Sequence, residues 1–292
     1  MSFVVQLTIN GLIAGSVYAL VASGFSLIYS TNRFMHFAHG ISVVVASYIL
    51  YTLFSIAQIP FFLSILPTLF LSALFGFFVY LLVYSPLQSR NASNVVLLIA
   101  SIGVLILFQN VLQAVYGANV KTINLLETNK GIEIFGASVT HLQLVIIFFS
   151  LFLFIFFNFF MRKTRLGKEM RAIADNKELS RIVGINDRLI AGASFVIGSF
   201  FAGIAGIFIG LEYNLFPTMG TDLIIKGFTG AVIGGVGSVP GAIIGAYILG
   251  LAENYGIAFL PSGFKDAISF VLLFIFLLFK PSGLLGIRRN GE

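Results

Sequence analysis

Thirteen polar side chains interrupt the long apolar runs of this sequence: Asn10, Tyr18, His36, His39, Gln109, Asn110, Gln113, Glu212, Asn214, Asp222, Lys226, Glu253 and Asn254. A polar group inside lipid is costly, so each is a candidate either for function or for a specific hydrogen bond. Gln109, Asn110 and Gln113 lie within one helical turn of each other near the outer end of their run, where bonds between helices are the expected use. Glu212, Asp222, Glu253 and Asn254 fall near the expected outer boundary. A carboxylate can stay hydrated there, and a vestibule receiving a docked partner or a zwitterion would also want it. His39, followed by Gly40 at the start of a run, reads as a packing histidine or as a gate.

These residues do not assemble into an enzyme. There is no HExxH pair for zinc, no GxSxG nucleophile elbow and no GxxxxGK[ST] phosphate loop. The segment GGVGSVPG at 234–241 comes close to a dinucleotide fingerprint, but Pro240 holds the third glycine slot and no strand precedes it. The expectation is therefore no catalytic residue, no metal ligand and no cofactor bound by this chain. Ion-coupled carriers bury a carboxylate at mid-membrane, and none of the acids falls convincingly at the centre of a run. Energy for transport must come from elsewhere, or transport is passive.

The elements that position these residues are membrane helices. The 292 residues are 58% hydrophobic and 10% charged, with 33 Phe, 10 Tyr and no Trp or Cys, and the mean hydropathy is +1.02. A soluble fold needs charge at about a quarter of its positions. Apolar runs long enough to span about 30 Å of hydrocarbon lie at 3–29, 38–57, 60–84, 95–116, 141–161, 189–212, 222–257 and 265–280. The seventh is too long for one helix. Gly234, Gly235, Gly237, Pro240 and Gly241 should break it near 235–241 into elements of about 222–235 and 240–257. The expected fold is an all-α polytopic membrane bundle of about 8–9 transmembrane elements forming one domain over 1–292. The first run has no basic residue before Arg33 and reads as a retained anchor.

The formal charge of +6 invites a nucleic-acid reading, but eight of the 17 Lys and Arg fall between Arg162 and Arg188 beside four acids. That loop is the positive-inside signal of a membrane protein, and no nucleic-acid partner is expected. With 162–188 in the cytoplasm, the 117–140 loop, with Lys121, Glu127, Lys130 and Glu133 in balance, lies outside. Arg90 and Arg33 then lie inside and the N-terminus outside. The tail with Lys280, Arg288 and Arg289 reaches the cytoplasm only if both arms of the seventh run cross, giving nine crossings; a re-entrant first arm would force it outside.

Small residues recur every four positions at Gly11, Gly15, Ala19 and Ser23, and again at Ser194, Gly198, Ala202, Gly206 and Gly210. Such stripes let helices approach closely; a compact bundle and a glycine-lined pathway both use them. In the loop, apolar residues at Leu166, Met170, Ile173 and Ala174, then Leu179, Ile182 and Val183, describe two short amphipathic helices. Asn176 can cap the second and Gly184 can end it. Two apolar faces in a cytoplasmic loop fit a helical knob presented to a cytosolic partner, with Arg and Lys at its rim. Helices lying on anionic lipid are the competing reading.

Taken in order, NGLIAGSVYALVASGFSLIYS (10–30), FAHG (37–40), YSPLQS (84–89), IASIGVLILFQNVLQAVYG (99–117), GKEMRAIADNKELSRIVGIN (167–186), AGIAG (202–206), KGFTGAVIGGVGSVPGAIIGAYILGLAE (226–253) and KPSGLLG (280–286) resemble the permease subunits of high-affinity branched-chain amino acid ABC importers. The likeness covers nearly the whole chain. It implies a multi-pass inner or plasma membrane subunit, with the loop and the C-terminus cytoplasmic, that translocates leucine, isoleucine or valine. The implied partners are the lipid bilayer, a second homologous permease, two cytosolic ABC ATPases that use the ATP, and a periplasmic or lipid-anchored substrate-binding protein. The coupling segment carried over by position comprises Gly167, Met170, Arg171, Ala172, Ile173, Asp175, Asn176, Leu179, Ile182 and Gly184. His39, Gly40, Gly234, Gly235, Gly237 and Pro240 are the implied pathway or gate residues. His36 stands where the family signature has Asn, which leaves open a permease for urea or short amides. A self-sufficient channel for a small neutral solute is the remaining alternative.

Overall fold

A computed structural model describes residues 2–125, 131–134 and 136–286. Glu127, Lys130, Arg288 and Arg289, used above for orientation, lie outside them. The helices are α1 (Ser2–Asn32), α2 (His39–Leu50, prolonged by a π turn Tyr51–Ile56), α3 (Phe61–Val79, prolonged through Tyr80–Tyr84), α4 (Ser85–Ser89) and α5 (Asn94–Tyr116). After the two-stranded hairpin β1 (Ile132–Ile134) and β2 (Ala137–Val139) come α6 (His141–Lys163), α7 (Arg165–Asp175), α8 (Lys177–Ile182) and α9 (Asp187–Glu212). The chain ends with α10 (Met219–Gly234), α11 (Val239–Gly256), a 3-10 turn at Ser262–Phe264 and α12 (Lys265–Phe279). The chain is a polytopic helical membrane bundle, as expected.

Helix starts follow from capping side chains. Thr140 and Gln143 form a reciprocal capping box at α6, and Thr164, Asn176, Asn186 and Ser238 accept backbone N–H bonds at α7, α8, α9 and α11. Each satisfies donors that the first helical turn leaves unpaired. Pro240 sits in the first turn of α11, where its missing N–H costs nothing.

Contacts define the two ends of the bundle. Where α1 begins, Gln6 exchanges hydrogen bonds with the Ser138 backbone, Thr8 meets Tyr255 at 2.7 Å and Gln143 donates to Glu212 at 2.7 Å. Where α1 stops, Arg33 reaches the Ala174 carbonyl, Gln88 reaches Asn32, and Leu284 and Leu285 donate to the carbonyls of Ile233 and Gly234. Among the described residues seven helices are long and apolar enough to cross a membrane on their own: α1, α2 with its π turn, α3 with its extension, α5, α6, α9 and α12. α10 and α11 meet that test only as a pair, and their axes bend by 114°. The turn between them, 235–238, sits at the end where α1 stops, against Tyr29 and the 282–286 segment. Gly235 (φ 115°) and Gly237 (φ 91°) make that turn in a region other residues rarely adopt.

α1 runs through the middle, enclosed by α9, α10 and α11, while α2 and α3 cover α9. Both small-residue stripes are packing surfaces. Gly11 and Gly15 lie against Leu251 and Tyr247 of α11, and Gly206 lies under the α2 backbone. The outer helices α3, α5, α6 and α12 instead present Leu, Ile and Phe outward, as lipid-facing surfaces do. α2 starts inside the bundle, because a non-helical stretch at 33–38, with Arg33 at φ 62° and a turn at 37–38, brings His39 back against Gly24. Periodicity gave no sign of this re-entry.

Candidate functional site

The loop between α6 and α9 forms the two helices expected of it, but their apolar faces do different work. A Cβ on Gly167 would strike the Phe160 and Met161 backbone, so glycine allows α7 to fold back tightly on the end of α6. Met170 (0% exposed) and Ile173 are interior and hold α7 onto the bundle. That corrects the expectation that this stripe faces a partner. The apolar side chains left exposed are Leu179, Ile182 (79% exposed) and Val183, all at α8. Ala172 is half-buried, while Arg171, Asp175 and Asn176 are exposed. Asn176 Oδ1 accepts from the N–H groups of Glu178 and Leu179, each at 3.0 Å. Gly184 ends the segment at φ 88°, as its position suggested. Asp187 binds Arg181 and Lys177, tying α8 to the start of α9.

Beneath α7 is a cavity of about 670 Å³, walled by the ends of α1 and α6, by Met170, Arg171, Ala174 and Asp175, and by the 236–240 turn. It brings the coupling segment to face Gly237 and Pro240, two of the residues singled out for a gate. Gly234 lies buried against Gly241 where α10 and α11 cross. His39 and Gly40 lie elsewhere, in the bundle interior. Gly40 touches Gly220 and Ile224 of α10, and the His39 ring sits against Gly24, which packs in turn on Gly198. Both ring nitrogens of His39 are buried without a hydrogen bond of ordinary geometry. His36 is a satisfied interior histidine, with Nδ1 2.9 Å from the Tyr84 hydroxyl and its ring packed on Phe195.

At the opposite end, the acids expected to remain hydrated do so only in part. Glu253 is 1% exposed and forms an ion pair with Lys226 at 2.5 Å. Lys226 also reaches Asp266 at 2.7 Å and Ser269 at 3.0 Å, and Tyr18 donates to Glu253 at 2.9 Å. The network ties α1, α10, α11 and α12 together beside a cavity of about 460 Å³ that Asn10, Glu212, Asn214 and Asp222 also line. Sequence reasoning named Lys226 and Glu253 separately and missed their pairing, as well as Asp266 and Ser269. The available signal was one buried lysine and one buried acid on successive apolar elements, neither affordable alone. Asn110 and Gln113 depart from expectation too. Both are exposed, and Asn110 bonds only its own helix, to the Ile106 carbonyl at 2.7 Å.

Among the described residues no cluster of His, Cys, Asp and Glu could hold a metal ion. Residues 7–277 match the family described as the branched-chain amino acid transport system permease component. The chain is 33% identical to the high-affinity branched-chain amino acid transport system permease protein BraD of Pseudomonas aeruginosa, over 96% of this chain and 95% of that protein. It is 32% identical to the corresponding permease protein LivH of Salmonella typhimurium, over 97% and 96% of the two chains. A chain of the solved PsaBC complex from Streptococcus pneumoniae superposes at a TM-score of 0.49 with 12% identity, over 94% of this chain and 91% of that one, a likeness too loose to carry an argument.

Proposed function

The chain belongs to the permease-component family of branched-chain amino acid transport systems, and on that premise we propose that it is the membrane subunit of an ATP-driven importer for leucine, isoleucine or valine. The carrying observation is the match over 7–277, which leaves almost no part of the chain outside the family. In this reading the end bearing α7 and α8 is cytoplasmic, with its basic residues supplying the topological signal, and the C-terminus lies on the same side. Cytosolic ATPases dock on α8 through Leu179, Ile182 and Val183, with Lys177 and Arg181 at the rim. Gly167, Met170 and Ile173 hold α7 rigid enough to pass movement to the 235–238 turn. A second homologous permease completes the conduit, and a substrate-binding protein delivers the amino acid to the opposite end. No cofactor binds this chain; nucleotide is hydrolysed by the partner ATPases, as the absence of a phosphate loop supports.

The test is uptake of labelled leucine into proteoliposomes. Uptake should require this chain, its partner permease, the ATPases, the binding protein and ATP together. Uptake by this chain alone would overturn the importer reading, and uptake of urea in preference to leucine by the full complex would overturn the substrate.

A further inference from the structure

The cavity beneath α7 combines two surfaces that a peptide partner or a solute would not need together. Its deep wall is apolar, formed by Phe154, Phe157, Val236 and Ile243, and it opens sideways between α6 and α11 past Ile155 and Ile244, both exposed. Its rim holds Arg33, Arg162 and Arg171 against a single acid, Asp175. Arg33 is committed to the Ala174 carbonyl, and Arg171 spends only Nε, on the Met161 carbonyl at 3.0 Å. The terminal nitrogens of Arg171 and the whole Arg162 guanidinium keep their donors. The rim lies where the membrane helices end, at head-group depth, and the sideways opening lies where acyl chains are.

We propose that this cavity binds an anionic phospholipid, with its phosphate held by Arg162 and Arg171 and its acyl chains lying along the groove between α6 and α11. Charge complementarity selects the occupant. A phosphate accepts from two guanidinium forks, basic pockets between membrane helices at this depth suit anionic head groups, and the apolar walls suit hydrocarbon. The bound lipid bridges α7 to the 236–240 turn, both of which line the cavity, so lipid composition would tune the stiffness of that contact. The inference rests on the chain's spanning a bilayer and is independent of the solute carried, so its failure would leave the importer reading standing.

The absence of tryptophan from the chain supplies the test. The full-length Ile244→Trp protein is reconstituted in phosphatidylcholine vesicles containing a minor fraction of acyl-brominated phosphatidylglycerol, or of brominated phosphatidylcholine. Leu82→Trp, exposed on the extension of α3 and outside the cavity lining, is the control. Quenching should favour phosphatidylglycerol about fivefold or more in Ile244→Trp and not in Leu82→Trp, and adding Arg162→Gln should lower the preference about fivefold. Equal quenching by the two lipids, or a preference that survives Arg162→Gln together with Arg171→Gln, would overturn the proposal. Loss of the preference on adding inorganic phosphate would reassign the site to a soluble anion, and no quenching by either lipid would mean that protein covers the groove. Should Ile244→Trp fail to insert, native mass spectrometry of the unsubstituted chain must show phosphatidylglycerol retained over phosphatidylcholine for the proposal to stand.

Discussion

The two ends of the bundle handle charge in opposite ways. In the half of the bundle that holds the start of α1, Lys226, Glu253, Asp266, Ser269 and Tyr18 satisfy one another, so the charges in the interior hold the chain's own helices together. Where α1 stops, arginines ring an apolar cavity and α8 exposes Leu179, Ile182 and Val183. A network closed on itself stabilises the fold, whereas unspent donors and exposed apolar side chains suit molecules outside the chain. The number of ionisable groups does not distinguish the ends; whether each already has a partner does.

The contrast can be broken most severely at the closed end. Glu253→Leu leaves Lys226 buried with the Ser269 hydroxyl and only an exposed carboxylate, Asp266, beside it, and should cost about 3–5 kcal/mol, seen as lost yield and a lowered unfolding temperature in detergent. Lys226→Met combined with Glu253→Leu should recover most of that loss, because two well-packed apolar side chains can replace a buried pair. If the double variant is as unstable as the single one, the network is not a closed unit.

Overfilling the α10–α11 crossing comes next. Gly245 lies against the Gly230 and Gly234 backbones, so Gly245→Val should cost about 1–3 kcal/mol, measured by the same unfolding assay. At the open end, Ile182→Asp should leave stability within about 0.5 kcal/mol yet weaken ATPase association roughly tenfold or more. Met170→Asp should do the reverse, lowering stability first because its site is interior. Equal effects of the two substitutions on association would erase the distinction between α7 and α8. The smallest effect should come from Arg165→Gln, which removes an exposed pair with Glu169 and should leave both stability and association unchanged within error.

Much of this was legible beforehand. The runs ending near Tyr84, Tyr116 and Glu212, the break at Gly235 and Gly237, the cap at Asn176 and the left-handed stop at Gly184 all come from local rules. Those rules concern periodicity, capping and steric freedom within a few residues. The inward face of α7 was legible as apolar but not as inward, because an amphipathic stripe does not say what covers it. The exposed amides of Asn110 and Gln113 were misread for the same reason: a sequence shows that a side chain wants a partner, not which surface it meets.

By itself, then, the sequence determined the membrane environment, the rough limits of the helices, the family and the basic loop, since these depend on composition and on neighbours along the chain. The tertiary structure alone decided that Lys226 meets Glu253 across 27 positions, that 33–38 carries His39 back into the interior, and that three arginines, one just past α1 and the others on α6 and α7, share one cavity. These are meetings of residues distant along the chain, and they follow from how helices dock on one another, which local preference does not specify.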